Sequence, residues 1–97
     1  MAESTYLDKI KRRLYIAAAN FDDEILSLVE AARIDMVQSG VKEDIAQDEE
    51  NDNVLACIVA YVKAYRGNDP TQIEPYSKVY KAIRDKMTMI DGYKQEG

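Results

Sequence analysis

Residues 54–67 read VLACIVAYVKAYRG, and no other part of the chain is apolar on so many sides. Before its terminal glycine the segment carries only two charges, Lys63 and Arg66, both near its end. Such a segment is long enough for more than three helical turns. A helix that is apolar on nearly every side is buried at the centre of a bundle. The segment therefore predicts an all-α fold, a small bundle of four main helices around a central apolar helix at about 51–66.

The composition and the N-terminus indicate a soluble chain that folds. Its 97 residues include only four glycines and two prolines, so we expect a single helical domain over 1–97. The N-terminus has no apolar signal-peptide core, and the apolar run at 54–62 is too short to span a bilayer. The single Cys57 gives no disulfide framework and suits a reducing compartment. We therefore expect a cytosolic protein without a membrane contact.

The charge is unevenly distributed along the chain. The net charge of −5 and the pI of about 4.7 argue against binding to duplex nucleic acid, which needs a basic surface. Residues 22–40 sum to −4 and residues 41–53 to −5, whereas 1–21 sum to +2 and 54–73 and 74–97 to +1 each. The acidic residues thus lie in the middle, between two basic ends.

A first helix is expected over about 5–15, with Ser4 or Thr5 as its cap. Its apolar side is formed by Leu7, Ile10 and Leu14, and its other sides carry Lys9, Lys11, Arg12 and Arg13. The basic cluster fits either an ordinary solvated surface or a surface that docks another protein. Nucleic acid is a poorer fit, because no aromatic residues are interleaved to stack on bases.

A second helix is expected over about 22–39, with Asp22 as its N-cap. Phe21 and Leu26 then have the spacing of a hydrophobic staple. The two acidic residues that follow Asp22 add negative charge to the first turn, where the helix dipole favours it. Capping thus explains the acidic run without a metal site or catalytic carboxylates. Gly40 is well suited to the end of this helix.

The connection over 41–50, which we call the acidic segment, contains Glu43, Asp44, Asp48, Glu49 and Glu50. A calcium-binding EF-hand loop here would need a glycine and a glutamate where the chain has Asn53 and Val59, so the loop fails that pattern. We expect instead a solvated connection that begins with a short helical turn. Either Asp48 or Asn51 is expected to cap the central helix.

The last helix is expected over about 75–90, with Pro75 as its first residue. Gly67 is expected to end the central helix, and Pro70 to prevent any helical continuation in the loop before Pro75. The apolar residues of the last helix recur at helical spacing and are Tyr76, Val79, Tyr80, Ile83, Met87 and Ile90. Residues 91–97 form a short polar tail that is either frayed or ordered only against a partner.

The sequence contains no recognisable catalytic or ligand-binding pattern. There is no histidine to activate a nucleophile, and the four scattered glycines form no phosphate loop. Zinc ligands are lacking, and the glutamates do not have the paired positions of di-metal helical bundles. We therefore expect neither an enzyme nor a cofactor or metal site.

Three groups of residues resemble one family. The first helix carries Leu7, Ile10, Lys11, Leu14 and Ile16, and the acid-capped second helix carries Asp22, Asp23, Ile25, Leu28, Val29, Ala31 and Ala32. Together with VLACIVAYVKAYRG, which closes on a basic residue and glycine, they resemble the small helical head-tail connector (adaptor, DNA-packaging) proteins of tailed phages. The resemblance covers about residues 6–90. Two features depart from the family pattern: the central helix has no tryptophan, and the connection over 43–53 is unusually acidic and rich in amides.

The resemblance implies a structural protein of the virion neck, assembled in the host cytoplasm. Connectors of this kind form a closed ring, here of roughly a dozen copies, beneath the portal protein. The ring continues the channel through which DNA passes without specific binding, and it presents a surface to the next neck or tail-completion protein. The C-terminal region of such proteins reaches the portal, which makes Tyr93 and Lys94 candidates for portal binding.

A cyclic ring joins one surface of each copy to a different surface of its neighbour. We expect the acidic segment to meet the first or the last helix of the adjacent copy. The candidate interface residues are Glu43, Asp44, Asp48, Glu49 and Glu50 on one side and Arg12, Arg13, Lys81 and Arg84 on the other. The alternative is a small acidic helical module that binds and inhibits a host protein. Such a module would present its acidic residues in regular rows, whereas here they are bunched in one helix start and one loop.

Overall fold

The computed structural model describes residues 2–66, 69–90 and 92–94. The five α-helices are α1 (Ala2–Leu14), α2 (Asp22–Gln38), α3 (Glu43–Ala46), α4 (Asp52–Tyr65) and α5 (Pro70–Met87), with a 3-10 turn at Ala19–Phe21 before α2. Within these ranges there is no β-strand, although an isolated antiparallel bridge joins Val41 to Lys94. The prediction of an all-α bundle is confirmed.

The central helix of the bundle is α4, as the sequence predicts. Most of its residues are buried, and Ile58 and Val62 are completely inaccessible to solvent. α1, α2 and α5 all pack on it, and they bury apolar residues such as Ile10, Ile25 and Met87 in the same core. Burying one such side chain stabilises the fold by about 1.5–3 kcal/mol, so the core around α4 is the main source of stability.

Asn51 is the residue that starts α4. Its side-chain oxygen accepts hydrogen bonds from the backbone N–H groups of Asn53, at 2.9 Å, and Val54, at 3.1 Å. The other candidate cap, Asp48, accepts a hydrogen bond from the backbone N–H of Glu50 at 2.9 Å and so stabilises the turn before the helix. The prediction that Gly67 ends α4 lies outside the described residues.

The expected caps of α1 and α2 are wrong. α1 begins at Ala2, so Ser4 and Thr5 lie inside the helix, where alanine and glutamate at its start support an earlier beginning. The N-cap of α2 is Phe21, which makes no side-chain capping bond. Asp22 instead binds the ammonium of Lys11, with Oδ1 and Nζ 2.7 Å apart. That ion pair replaces the capping bond.

The hydrophobic staple at the start of α2 is also absent. Leu26 is 42 % exposed rather than folded back to cover the helix start, because the shift of the cap to Phe21 moves both residues out of the staple positions. Leu26 is therefore free for another contact.

The end of α2 has the expected glycine motif. Gly40 adopts a φ of 113°, which a residue with a Cβ rarely takes. Its N–H donates to the carbonyl oxygen of Val37 at 3.1 Å, and the N–H of Val41 donates to the carbonyl oxygen of Met36 at 3.0 Å. These two bonds form a Schellman motif, and Val41 and Met36 are both fully buried.

The start of the last helix differs from the prediction. α5 begins at Pro70 and runs through Pro75 to Met87, so Pro70 opens the helix and Pro75 lies inside it. A proline is favoured at the first helical position, because the N–H that it lacks has no partner there. Asp69 caps the helix by accepting from the backbone N–H of Thr71 at 3.0 Å. The expected loop over 70–74 is therefore a first helical turn.

The C-terminal tail is docked on the body of the protein at residues 92–94. The backbone N–H of Lys42 donates to the carbonyl oxygen of Tyr93 at 2.7 Å, and the amide nitrogen of Asn51 donates to the hydroxyl of Tyr93 at 2.8 Å. The ring of Tyr93 also packs against the core. The expectation of a frayed or partner-dependent tail is wrong for these residues. Residues 91 and 95–97 lie outside the described part.

Candidate subunit interface

A groove with a volume of about 500 Å³ runs between α1, α4 and α5. Apolar residues of α4 and α5 line it, among them Val59, Val79 and Ile83. Arg12 and Arg13, two of the expected interface residues, line the side formed by α1, and both are exposed. The structure thus brings these two arginines to the edge of an apolar groove, which is a common composition for protein-binding surfaces.

Tyr15 stands at the same groove in a strained conformation. Its φ is 59°, in the left-handed region, and its side chain is 94 % exposed. The N–H of Tyr15 donates to the carbonyl oxygen of Arg12 at 3.2 Å, and the N–H of Ile16 donates to the carbonyl oxygen of Lys11 at 3.0 Å. These two bonds form a Schellman motif at the end of α1. Glycine normally occupies this position, and a side chain there costs about 1–2 kcal/mol. The chain therefore holds a solvent-exposed aromatic residue at an energetic cost.

The acidic segment has an exposed part and a part that contacts the rest of the same chain. Glu43 and Asp44 are exposed on α3. Glu50 is also exposed, and its carboxylate lies 3.8 Å from the ammonium of Lys9, itself substantially exposed. Exposed pairs of this kind contribute little to stability. These three carboxylates are the most exposed ones of the acidic segment, whereas Asp48 and Glu49 are only partly exposed.

Glu49 contacts another part of the same chain instead. Its carboxylate lies 4.0 Å from the guanidinium of Arg33, whose side chain is only 13 % exposed. Arg33 in turn lies over the ring of Tyr6, 5.2 Å from its centroid. Burial raises the pKa of Tyr6, and the charge of Arg33 partly opposes that shift. Glu49 therefore helps to join the acidic segment to α1 and α2.

Arg84 is likewise paired within the chain. Its Nη1 donates to Oδ2 of Asp35 at 2.9 Å, and the hydroxyl of Tyr80 donates to the same oxygen at 2.6 Å. Burial, followed by the bond to Asp35, raises the pKa of Tyr80 well above its usual range. This cluster joins α2 to α5. Lys81 is exposed, but it is two residues from both Val79 and Ile83 and so lies on a different side of α5 from the groove.

The sequence analysis missed an apolar surface on α2. Leu26 and Ile34 are 42 % and 50 % exposed, and the exposed Glu30 lies between them. The three residues follow one another at intervals of four, so they share one side of the helix. The core side of α2 is formed by Ile25, Val29, Ala32 and Met36. The sequence could have revealed this surface, because Leu26 and Ile34 are apolar but do not fall on the core stripe of the helix.

The portal-binding candidates Tyr93 and Lys94 differ in accessibility. Tyr93 is partly buried and hydrogen-bonded to Asn51, whereas Lys94 is exposed. Lys94 therefore has the side chain that a partner can reach directly.

Neither a metal site nor a reactive thiol is apparent in the described ranges. Over 2–66, 69–90 and 92–94, no group of three or more acidic, histidine or cysteine side chains is placed to hold a metal ion. Cys57 is buried, and burial raises the pKa of its thiol to about 12, which suppresses the reactive thiolate. None of the helices in the described part is long and apolar enough to cross a bilayer.

The comparisons with known proteins give one result. A family model described as "Phage connector protein" matches residues 6–94. No curated protein and no solved structure matches the chain significantly. Phage connectors are structural rather than catalytic components of the virion, and they contact other capsid or tail components. Because the match extends over almost the whole sequence, the chain belongs to the family of phage connector proteins.

Proposed function

We propose that the protein assembles into a closed ring in the phage neck, beneath the portal protein, and continues the channel through which DNA passes. The ring contains roughly a dozen copies and presents a surface to the next neck or tail-completion protein. The family match over residues 6–94 carries this proposal. The presence of oppositely charged surfaces on one chain supports it.

The charged surfaces fit a ring because they differ from each other. When one surface of a copy binds a different surface of its neighbour, every copy keeps a free surface of each kind until the ring closes. Glu43, Asp44 and Glu50 are exposed on one side of the contact, and Arg12 and Arg13 on the other. We therefore keep the acidic segment as one side of the interface. Arg84 and Glu49 have partners in their own subunit, which makes them secondary candidates.

The net charge suits a channel for DNA. A chain with a charge of −5 repels phosphate groups, so DNA can slide through the ring without being held.

Portal binding is assigned to the region of Tyr93 and Lys94. Since Tyr93 is docked on its own subunit, Lys94 is the primary contact and Tyr93 its support.

Native mass spectrometry at several protein and salt concentrations tests the ring, followed by negative-stain imaging of any large species. A closed ring that weakens as salt is raised supports the proposal, because screening reduces the attraction between exposed charges. A defined dimer at every concentration favours the inhibitor of a host protein instead. A monomer that does not assemble even on purified portal contradicts the proposal.

The same measurement on two charge-reversal variants tests the acidic segment. Reversal of charge at Glu43, Asp44 and Glu50 leaves the intramolecular contacts of Glu49 intact and is expected to prevent ring closure. A control that reverses Glu74 and Asp85, which are exposed on α5, also removes negative charge but leaves the acidic segment unchanged. If the acidic-segment variant closes rings as readily as the wild type, the acidic segment is not at the interface.

A further inference from the structure

We infer that the groove beside Tyr15 receives the outer side of α2 from a second copy of the chain. The inference rests on the proposed ring and identifies the apolar contact within it. Leu26 and Ile34 of one copy are the anchors that enter the groove of the next. Tyr15 closes over them, and Glu30, which lines a small groove together with Glu49 of the acidic segment, faces Arg12 and Arg13 alongside that segment.

The two surfaces match in chemical character. The groove has an apolar lining that includes Val59, Val79 and Ile83, with arginines along one side. The outer side of α2 has the complementary arrangement, with two exposed aliphatic side chains and a carboxylate between them. Leu26 and Ile34 are eight residues apart, about two helical turns, so they can act as two successive anchors on one side of a helix that docks in a groove.

The charge of the surrounding sequence favours the same pairing. Residues 22–40, which contain α2, sum to −4, and Asp23 and Glu30 are exposed on the outer side of the helix. Arg12 and Arg13 face the groove, and Lys63 lines it as well. Opposite potentials on the two surfaces steer the copies into register. They also disfavour contacts between two grooves or between two α2 surfaces.

One copy cannot fill its own groove. The groove is lined by Ala56, Val59 and Ala60 of α4, while the core side of α2 packs in the bundle with α4. On the outer side of α2, Leu26 and Glu30 line a smaller groove with residues of α1 and do not border the groove between α1, α4 and α5, so that groove is open to the outer side of α2 from another copy. A contact between two different surfaces continues from copy to copy, as ring assembly requires.

Tyr15 provides an independent argument. Tyr15 has a left-handed backbone conformation, which costs free energy, and its side chain is 94 % exposed. No packing within the chain compensates for that cost. Strain of this kind is concentrated at functional positions, and tyrosine and arginine are enriched among residues that dominate binding. Tyr15 and the two arginines together form such a set at the groove.

The test uses variants that disable one surface each. Tyr15→Gly and Val79→Asp alter the groove, and Leu26→Asp and Ile34→Glu alter the outer side of α2. Each is expected to weaken association at least about tenfold. At concentrations where both proteins are monomeric, Tyr15→Gly is expected to melt at the same or a higher temperature than the wild type, since glycine removes the backbone strain. Met89→Glu is the matched control, because Met89 is 81 % exposed and lies outside both surfaces.

Mixing gives the decisive result. A groove variant and an α2 variant, each monomeric alone, are expected to form a one-to-one complex and nothing larger, since the pair retains one intact interface. Native mass spectrometry reads out the complex, and circular dichroism confirms that each variant is folded. If the wild type forms rings and all four variants also form rings, the contact between the groove and α2 is overturned, while the proposal of a ring is retained. If the wild type forms no rings with or without portal, both proposals are overturned together.

Discussion

The contacts of Asp35 on α2 with Tyr80 and Arg84 on α5 are predicted to stabilise the packing of the two helices, and Asp35→Ala tests this. In Asp35→Ala, the hydroxyl of Tyr80 loses its 2.6 Å hydrogen bond and keeps only a long 3.4 Å contact with the carbonyl oxygen of Ala32. Tyr80 is 2 % exposed, so water does not readily replace the lost partner. A hydrogen bond to a charged group contributes about 1.5–3 kcal/mol under these conditions.

The ion pair with Arg84 adds a smaller amount. The side chains of Arg84 and Asp35 are 18 % and 39 % exposed, so solvent screens their attraction, and the pair contributes about 0.5–1 kcal/mol. The expected loss is therefore about 3 kcal/mol in the free energy of unfolding. For a domain of this size, it corresponds to a decrease in Tm of roughly 12–20 °C.

Urea unfolding followed by circular dichroism measures the loss directly. Asp35→Asn keeps an acceptor for Tyr80 but removes the charge, and it is expected to lose about 1 kcal/mol. Asp85→Ala is the control, since Asp85 also contacts Arg84 but is 62 % exposed, and less than about 0.5 kcal/mol is expected. An Asp35→Ala variant within about 0.5 kcal/mol of the wild type would show that the buried hydroxyl finds another partner, and the reasoning would fail.

Three further predictions concern the cap, the thiol and the tail. Asn51→Ala removes both the cap of α4 and the hydrogen bond to Tyr93, so the free energy of unfolding, measured in urea, should fall by about 1–2 kcal/mol. Asn53→Ala is the control, because Asn53 is an exposed neighbour, and it should cost less than about 0.5 kcal/mol. The pKa of Cys57 rises from 9.0 to about 12 on folding, so above pH 9.0 the unfolded chain releases a proton that the folded chain retains. The free energy of unfolding should therefore fall as the pH rises from 9.0 towards about 12, and Cys57→Ala should show a shallower fall; equal slopes would contradict it. Lys94→Glu should weaken binding to immobilised portal without changing Tm, and an unchanged affinity would remove Lys94 from that contact.

Local patterns predicted the parts of the fold that local physics determines. The apolar run at 54–62 and its continuation to Arg66 are long enough for an interior helix, and Gly40 marks the end of α2 because few other residues adopt its φ. Two prolines five positions apart gave an ambiguous signal, since either Pro70 or Pro75 could open α5. The capping carboxylate of Asp69 decides in favour of Pro70.

Contacts between distant parts of the chain were beyond prediction. Tyr80 and Arg84 meet Asp35 across 45 and 49 residues, and Tyr93 meets Asn51 across 42. Periodicity assigns a side of a helix but no partner on another helix. For this reason the sequence placed Arg84 at an interface, although its charge is paired with Asp35 of the same chain. The exposure of Tyr15 was likewise invisible, because an aromatic residue next to an apolar stripe is usually part of the core.

The docking of Tyr93 has a kinetic consequence for the acidic segment. Tyr93 binds the backbone of Lys42 near one end of the segment and the side chain of Asn51 just beyond the other, so a single residue fastens both ends. A loop that is already ordered loses little conformational entropy when it meets a partner. Its association rate is then governed by long-range attraction, and raising the salt concentration is expected to slow the encounter of two copies far more than it hastens their separation.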